Sequence, residues 1–106
     1  MKNTRLQQML EFLKDDPNDP FNLYAVASEY RKDDPEKSLQ LMNKLLNEFP
    51  DYLPTYYHAA ALDIQLNKGS QAASILEKGI ALAINQGDHL ALRELKNAVN
   101  ELMFDD

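Results

Sequence analysis

The sequence predicts an all-α protein, a short α-solenoid of about six antiparallel helices, and three observations carry that expectation. The chain repeats itself: Glu11-Phe12-Leu13-Lys14-Asp15-Asp16-Pro17 returns as Lys44-Leu45-Leu46-Asn47-Glu48-Phe49-Pro50, a shift of 33 positions. The same shift carries Leu23, Tyr24, Val26 and Ala27 onto Tyr56, Tyr57, Ala59 and Ala60; downstream it becomes 34, carrying Ser38 onto Ala72 and Met42 onto Leu76. One extra residue in the turn Asn67-Lys68-Gly69, compared with Lys32-Asp33-Asp34, would explain the change. Such a period with helical patterning marks stacked helix pairs, none of which buries its apolar face alone. The second observation is punctuation between helical stretches by Asp19-Pro20, Asp34-Pro35, Gly69 and Gly87, and the third is that no segment alternates with the period of a strand.

Helix one is expected over 4–14, opened by the capping box Thr4-Arg5-Leu6-Gln7, with Leu6, Met9, Leu10 and Leu13 on one stripe. Helix two begins at Asp19-Pro20, an N-cap followed by a proline whose missing N–H costs nothing in a first turn. Helix three repeats the device with Asp34-Pro35, buries Leu39, Met42, Leu45, Leu46 and Phe49, and ends at Pro50. Helix four starts near Pro54 and is expected to close at Gly69 in the left-handed conformation. Ser70 then opens helix five, whose inner face is Ala72, Ile75, Leu76, Gly79, Ile80 and Ala83. Gly87-Asp88 ends that helix and caps the sixth, which turns Leu92, Leu95, Val99 and Leu102 inward.

At 106 residues the chain is expected to form one domain: an N-terminal capping helix over 1–16, repeats over 17–50 and 51–86, and a C-terminal capping helix over 87–106. Hydrophobic content of 44% allows a packed core. Absence of Cys excludes a disulfide framework, Cys-ligated zinc and a thiol nucleophile. The N-terminus lacks the apolar run of a signal peptide and no stretch approaches membrane-spanning length, so a cytoplasmic location without membrane association is expected. Net charge is −6, from 17 acidic and 11 basic residues, which repels a phosphate backbone. Nucleic acid is not an expected partner.

Little in the chain suggests catalysis. His58 has only Ala61 and Leu62 at the positions where a second metal ligand on its helix would sit. His89 falls in the first turn of helix six, where a neutral surface imidazole is the ordinary case. Asp15, Asp16 and Asp19 are interrupted by Pro17 and Pro20 and lack the turn glycine of a calcium loop. Phe104-Asp105-Asp106 reads as a frayed acidic terminus. No phosphate loop, Ser-His-Asp set or paired-carboxylate site can be assembled, so no enzyme, metal or cofactor is expected. A small enzyme using His58 is the weakest alternative.

The residues resemble the tetratricopeptide repeat, a helix–turn–helix unit of 34 residues with small side chains at positions 8 and 20 and larger ones at 4, 11 and 24. One unit supplies Leu23, Ala27, Tyr30, Ser38, Met42, Leu45 and Pro50, the next Tyr56, Ala60, Ala72, Leu76 and Gly79. Ala27 against Ser38, and Ala60 against Ala72, would let paired helices approach closely. Three departures stand out: Leu45 is larger than the usual Ala, Asp63 occupies the place of Tyr30, and Ile84 replaces a closing proline. Helices one and six are then unpaired halves at the two ends, with polar outer faces, and the chain is similar to small stand-alone bacterial proteins of this family.

The resemblance implies a protein-interaction module in which the first helix of each pair lines a concave groove. Positions 5, 9 and 12, which often touch a peptide in the family, fall on Tyr24, Ser28 and Arg31, then on Tyr57, Ala61 and Ile64, with His58 bordering them. On helix six they fall on Arg93, Asn97 and Asn100. Such a surface suits an apolar anchor with a carboxylate. The family's clamp for a terminal carboxylate needs Lys and Asn where this chain has Tyr24 and Ser28, then Tyr57 and Ala61, so that ligand is not implied. The alternative to a peptide partner is a self-associating homodimer, joined through Leu90, Met103 and Phe104 on the last helix.

Overall fold

Each helix begins and ends where a local signal closes its free backbone groups. The structure, a computed structural model, describes residues 4–104, the side chains of Met103 and Phe104 excepted. It contains α1 (Thr4–Asp15), α2 (Pro20–Tyr30), α3 (Pro35–Glu48), α4 (Pro54–Gln65), α5 (Gly69–Gln86) and α6 (His89–Phe104), with no strand among the described residues. Asp19 caps α2 by accepting from the Phe21 N–H at 3.0 Å, and Asp34 caps α3 by accepting from the Lys37 N–H at 3.1 Å. Asp88 does the same for α6 through the Ala91 N–H at 3.0 Å. At the end of α1 the Asn22 side chain donates to the carbonyls of Phe12 and Asp16, which ties that helix to α2.

The turn between α4 and α5 differs from expectation. Asn67, at φ 64°, takes the left-handed conformation, and the Lys68 N–H returns to the Asp63 carbonyl at 2.6 Å. This is the six-residue closure of a Schellman cap, and Asn is the non-glycine residue that tolerates it best. Gly69 is therefore free to be the first residue of α5, and Ser70 lies inside the helix rather than capping it. The extra residue of the second repeat extends α4 to Gln65 and not the turn, which covers 66–68 against 31–34 one repeat earlier. At the far end of α5 no proline stands at Ile84, so the helix runs 18 residues until Gly87, at φ 69°, stops it.

Short connections force consecutive helices to double back, and each packs on the next, with α4 also meeting α6. The core has two parts. Leu23, Ala27, Leu39, Met42, Leu45, Ala59 and Leu62 fill the space among α2, α3 and α4. Leu53, Tyr56, Ala60, Ala72, Leu76, Ala83 and Leu95 fill that among α4, α5 and α6. Leu46 and Ile75 touch both, so the core is continuous along the stack. The close approach expected of the small residues is realised: the Ser38 hydroxyl reaches the Ala27 carbonyl at 2.6 Å. The Tyr56 hydroxyl donates to the Pro50 carbonyl, and the Gln86 amide to that of Asp51 at 2.9 Å, pinning the α3–α4 loop to the second part. The stack measures 40 × 30 × 21 Å with a radius of gyration of 14.1 Å. A compact domain of this size would have about 13 Å, so the chain is mildly elongated.

Two further features of the sequence bear on the packing. Asp63 is 1% exposed and neither of its carboxylate oxygens has a hydrogen-bond partner. Of the self-association trio, the side chains of Met103 and Phe104 lie outside the described residues, whereas Leu90 is 59% exposed.

The packing sets a test of register. Ala60→Leu should destabilise by about 1–3 kcal/mol, because the added atoms must separate α4 from α5. Ala61→Leu, one residue on and exposed, should cost under about 0.5 kcal/mol. Urea denaturation followed by circular dichroism measures both, and equal losses would contradict the packing described.

Candidate functional site

The open face of the stack is built by α2, α4 and α6, and its first feature is a run of rings. Tyr24, half-buried on α2, meets Tyr52 edge-on with centroids 5.6 Å apart and His58 of α4 at the same separation, tilted by 58°. Tyr57 stands perpendicular to His58 at 5.5 Å. These separations and angles are those aromatic rings favour, since the edge of one ring is positive and the face of the next negative.

One helical turn beyond Tyr24, Ser28 lies near enough for its side chain to act on the Tyr24 phenol. One turn further, Arg31 Nη1 lies 2.9 Å from His58 Nδ1. A guanidinium only donates, so Nδ1 accepts and the imidazole carries its proton on Nε2. Partial burial and the Arg31 charge both hold the His58 pKa below the ordinary histidine value, against an opposing pull from Glu94 of α6. Burial pushes the Tyr24 phenol up, partly offset by Ser28 and Arg31. At neutral pH both rings are uncharged.

Between α4 and α6 the face sinks into an open cleft of about 280 Å³, lined by Leu53, Pro54, Tyr57, His58, Asp88, Leu90, Ala91, Glu94 and Leu95. Five of those side chains are apolar, and the ionised ones are Asp88 and Glu94. No group of three or more His, Asp or Glu among the described residues is placed to hold a metal ion, and no helix among them is long and apolar enough to cross a membrane.

Of the residues singled out in the sequence, Tyr24, Ser28, Arg31, Tyr57 and His58 form one continuous cluster. Ala61 and Ile64 lie exposed on α4, one and two turns beyond Tyr57. Arg93 and Asn97 are not brought to the cleft; with His89, Leu92, Lys96 and Asn100 they line a separate, shallower depression. At about 100° per residue, α6 can turn Ala91 and Glu94 toward α4 only by turning Arg93 aside. Sequence reasoning missed Tyr52, Leu53, Asp88, Ala91 and Glu94. For Glu94 a signal existed: where Arg93 takes the place of Tyr57, Glu94 takes that of His58.

Paired helices stacked in series, with aromatic side chains shared between successive pairs on one face, define a helical-repeat protein. Two solved structures give the class its family. A solution NMR structure of a tetratricopeptide repeat domain protein from Salinibacter ruber is 35% identical, covers 86% of this chain and 93% of its own, and superposes with a TM-score of 0.81. A crystal structure of a tetratricopeptide repeat domain protein from the same organism gives 34% identity, 83% and 100% coverage, and a TM-score of 0.79. The chain belongs to the tetratricopeptide repeat family. No family model matches it, and no curated protein does.

Proposed function

We propose that the protein is a non-enzymatic interaction module holding a peptide or a partner helix along the concave face made by α2, α4 and α6. In this reading two repeats, 17–50 and 51–86, lie between capping helices at 1–16 and 87–106, and the protein works in the cytoplasm. The observation that supports it best is the cluster of Tyr24, His58, Tyr57 and Arg31, which spans two successive repeats on a face left open. Tyr and Arg are the side chains in which binding energy tends to concentrate. Tyr24 and Tyr57 would be the contacts, with Ser28, Ala61 and Ile64 continuing the surface along the helices.

The test is a selection of binders from a random peptide display library on the whole folded chain, followed by titration of purified peptides. Tyr57→Ala should weaken them by at least about 1 kcal/mol, the threshold that separates energetic contacts from bystanders. Glu77→Ala, exposed on α5, should change nothing. Binders indifferent to Tyr24→Ala and Tyr57→Ala but lost with Glu77→Ala would move the site to the opposite face. If no peptide is recovered and light scattering gives a dimer that Tyr57→Ala dissociates, the face is a self-association surface instead.

A further inference from the structure

The α4–α6 cleft offers an apolar floor and a rim of one sign. Leu53, Pro54, Tyr57, Leu90 and Ala91 supply the floor, with Leu90 largely exposed. The ionised side chains that line it are Asp88 and Glu94. Asp88 commits one oxygen to capping α6 through the Ala91 N–H. Glu94 is exposed, and its charge reaches into the cleft far enough to act on His58. Arg31, which could have balanced it, comes to His58 from the α2 side and donates to Nδ1, holding that ring as a neutral wall. Arg93, the cation expected here, faces the other depression.

From this we infer that the cleft takes a basic peptide, one whose Lys or Arg side chain meets Glu94 while a neighbouring apolar side chain fills the floor between Tyr57 and Leu90. The inference rests on the peptide-binding reading above and reverses the carboxylate ligand expected from Arg31 and Arg93. A carboxylate in this cleft would meet Glu94 and Asp88, with no Lys or Arg among the described residues that line it. A guanidinium or ammonium would pair with Glu94, and a charge-assisted hydrogen bond there is about twice as strong as a neutral one. The whole chain, at −6, adds attraction at a distance and speeds encounter with a cationic partner.

The experiment uses three fluorescein-labelled peptides of equal length with both ends blocked, in which leucine alternates with arginine, with glutamate or with serine. Fluorescence polarisation reads their binding to the full chain, to Glu94→Lys and to Tyr57→Ala. Circular dichroism checks that these exposed substitutions leave the fold intact. The arginine peptide should bind at least about tenfold tighter than the glutamate peptide, a preference that Glu94→Lys abolishes or reverses and that raised salt weakens. Tyr57→Ala should weaken the arginine peptide by about tenfold as well.

Tighter, Tyr57-dependent binding of the glutamate or the serine peptide would leave the groove reading standing and overturn the charge preference. An arginine preference untouched by Glu94→Lys would mean diffuse attraction to an acidic surface and would overturn the assignment to this cleft. Absence of Tyr57-dependent binding by all three probes would remove the groove reading, and this inference with it.

Discussion

Asp63→Asn is expected to stabilise the protein at neutral pH by about 2–3 kcal/mol, although it removes a charge and adds no contact. The carboxylate is 1% exposed, both its oxygens lack a hydrogen bond, and burial raises its pKa, only partly countered by the Lys68 charge. A folded-state pKa above the ordinary aspartate value means that, between the two, the native state keeps a proton which the unfolded chain has already released. Between the two values stability therefore falls as pH rises, and above both the whole penalty is present. Asparagine has the same shape and no proton to lose, so this slope should vanish. Urea unfolding of both proteins between neutral pH and about pH 4 measures it, with the difference shrinking on acidification. Parallel stability profiles would show that the Asp63 carboxylate is not strained in the fold.

Gly79→Val is expected to cost more than about 3 kcal/mol. A Cβ at this position would lie 2.8 Å from the Cβ of Tyr56 and 3.2 Å from Leu95 Cδ2. The first contact is with an atom fixed to the α4 backbone, so relief requires α4 and α5 to move apart. Gly79→Ala introduces the same clash with a single atom and gains about 1 kcal/mol of helix propensity, which leaves a net loss of about 1 kcal/mol. Thermal unfolding by circular dichroism ranks the two. If Gly79→Ala proved more stable than the parent, the approach of α4 to α5 would be looser than described. The glycine also explains why Tyr56 can stand where the preceding repeat has Leu23: a bulky residue on one helix faces a residue with no side chain on the other. In the first repeat the roles are shared differently, with Leu45 buried in the place of Gly79.

Most of the fold was legible because its signals are local. Asp19-Pro20, Asp34-Pro35 and Gly87-Asp88 each act within one helical turn, and each does in the structure what its residues imply. The apolar stripes of α3 and α5 face inward as their spacing requires. The α4–α5 turn was the exception. Asn67 and Gly69 both accept a left-handed backbone, and the choice fell to the residue that lets the Lys68 N–H reach the Asp63 carbonyl.

The site divides along the same line. A shift of 33 residues put Tyr24 and Tyr57 on equivalent helices, and that much needed no coordinates. The sequence by itself determined an all-α repeat, its two successive pairs, its caps, and the small residues at which paired helices touch. Only the tertiary structure decided that Arg31 meets His58, that Glu94 and not Arg93 faces Tyr57, and that Asp63 is enclosed without a hydrogen-bond partner. Caps and apolar stripes are read within a few residues of one helix. Contacts between helices depend on how far each is rotated and displaced against its neighbours. For α6 that was set by α5, which runs on to Gln86 for want of a proline, and by the packing of Leu95 against Gly79 and Tyr56.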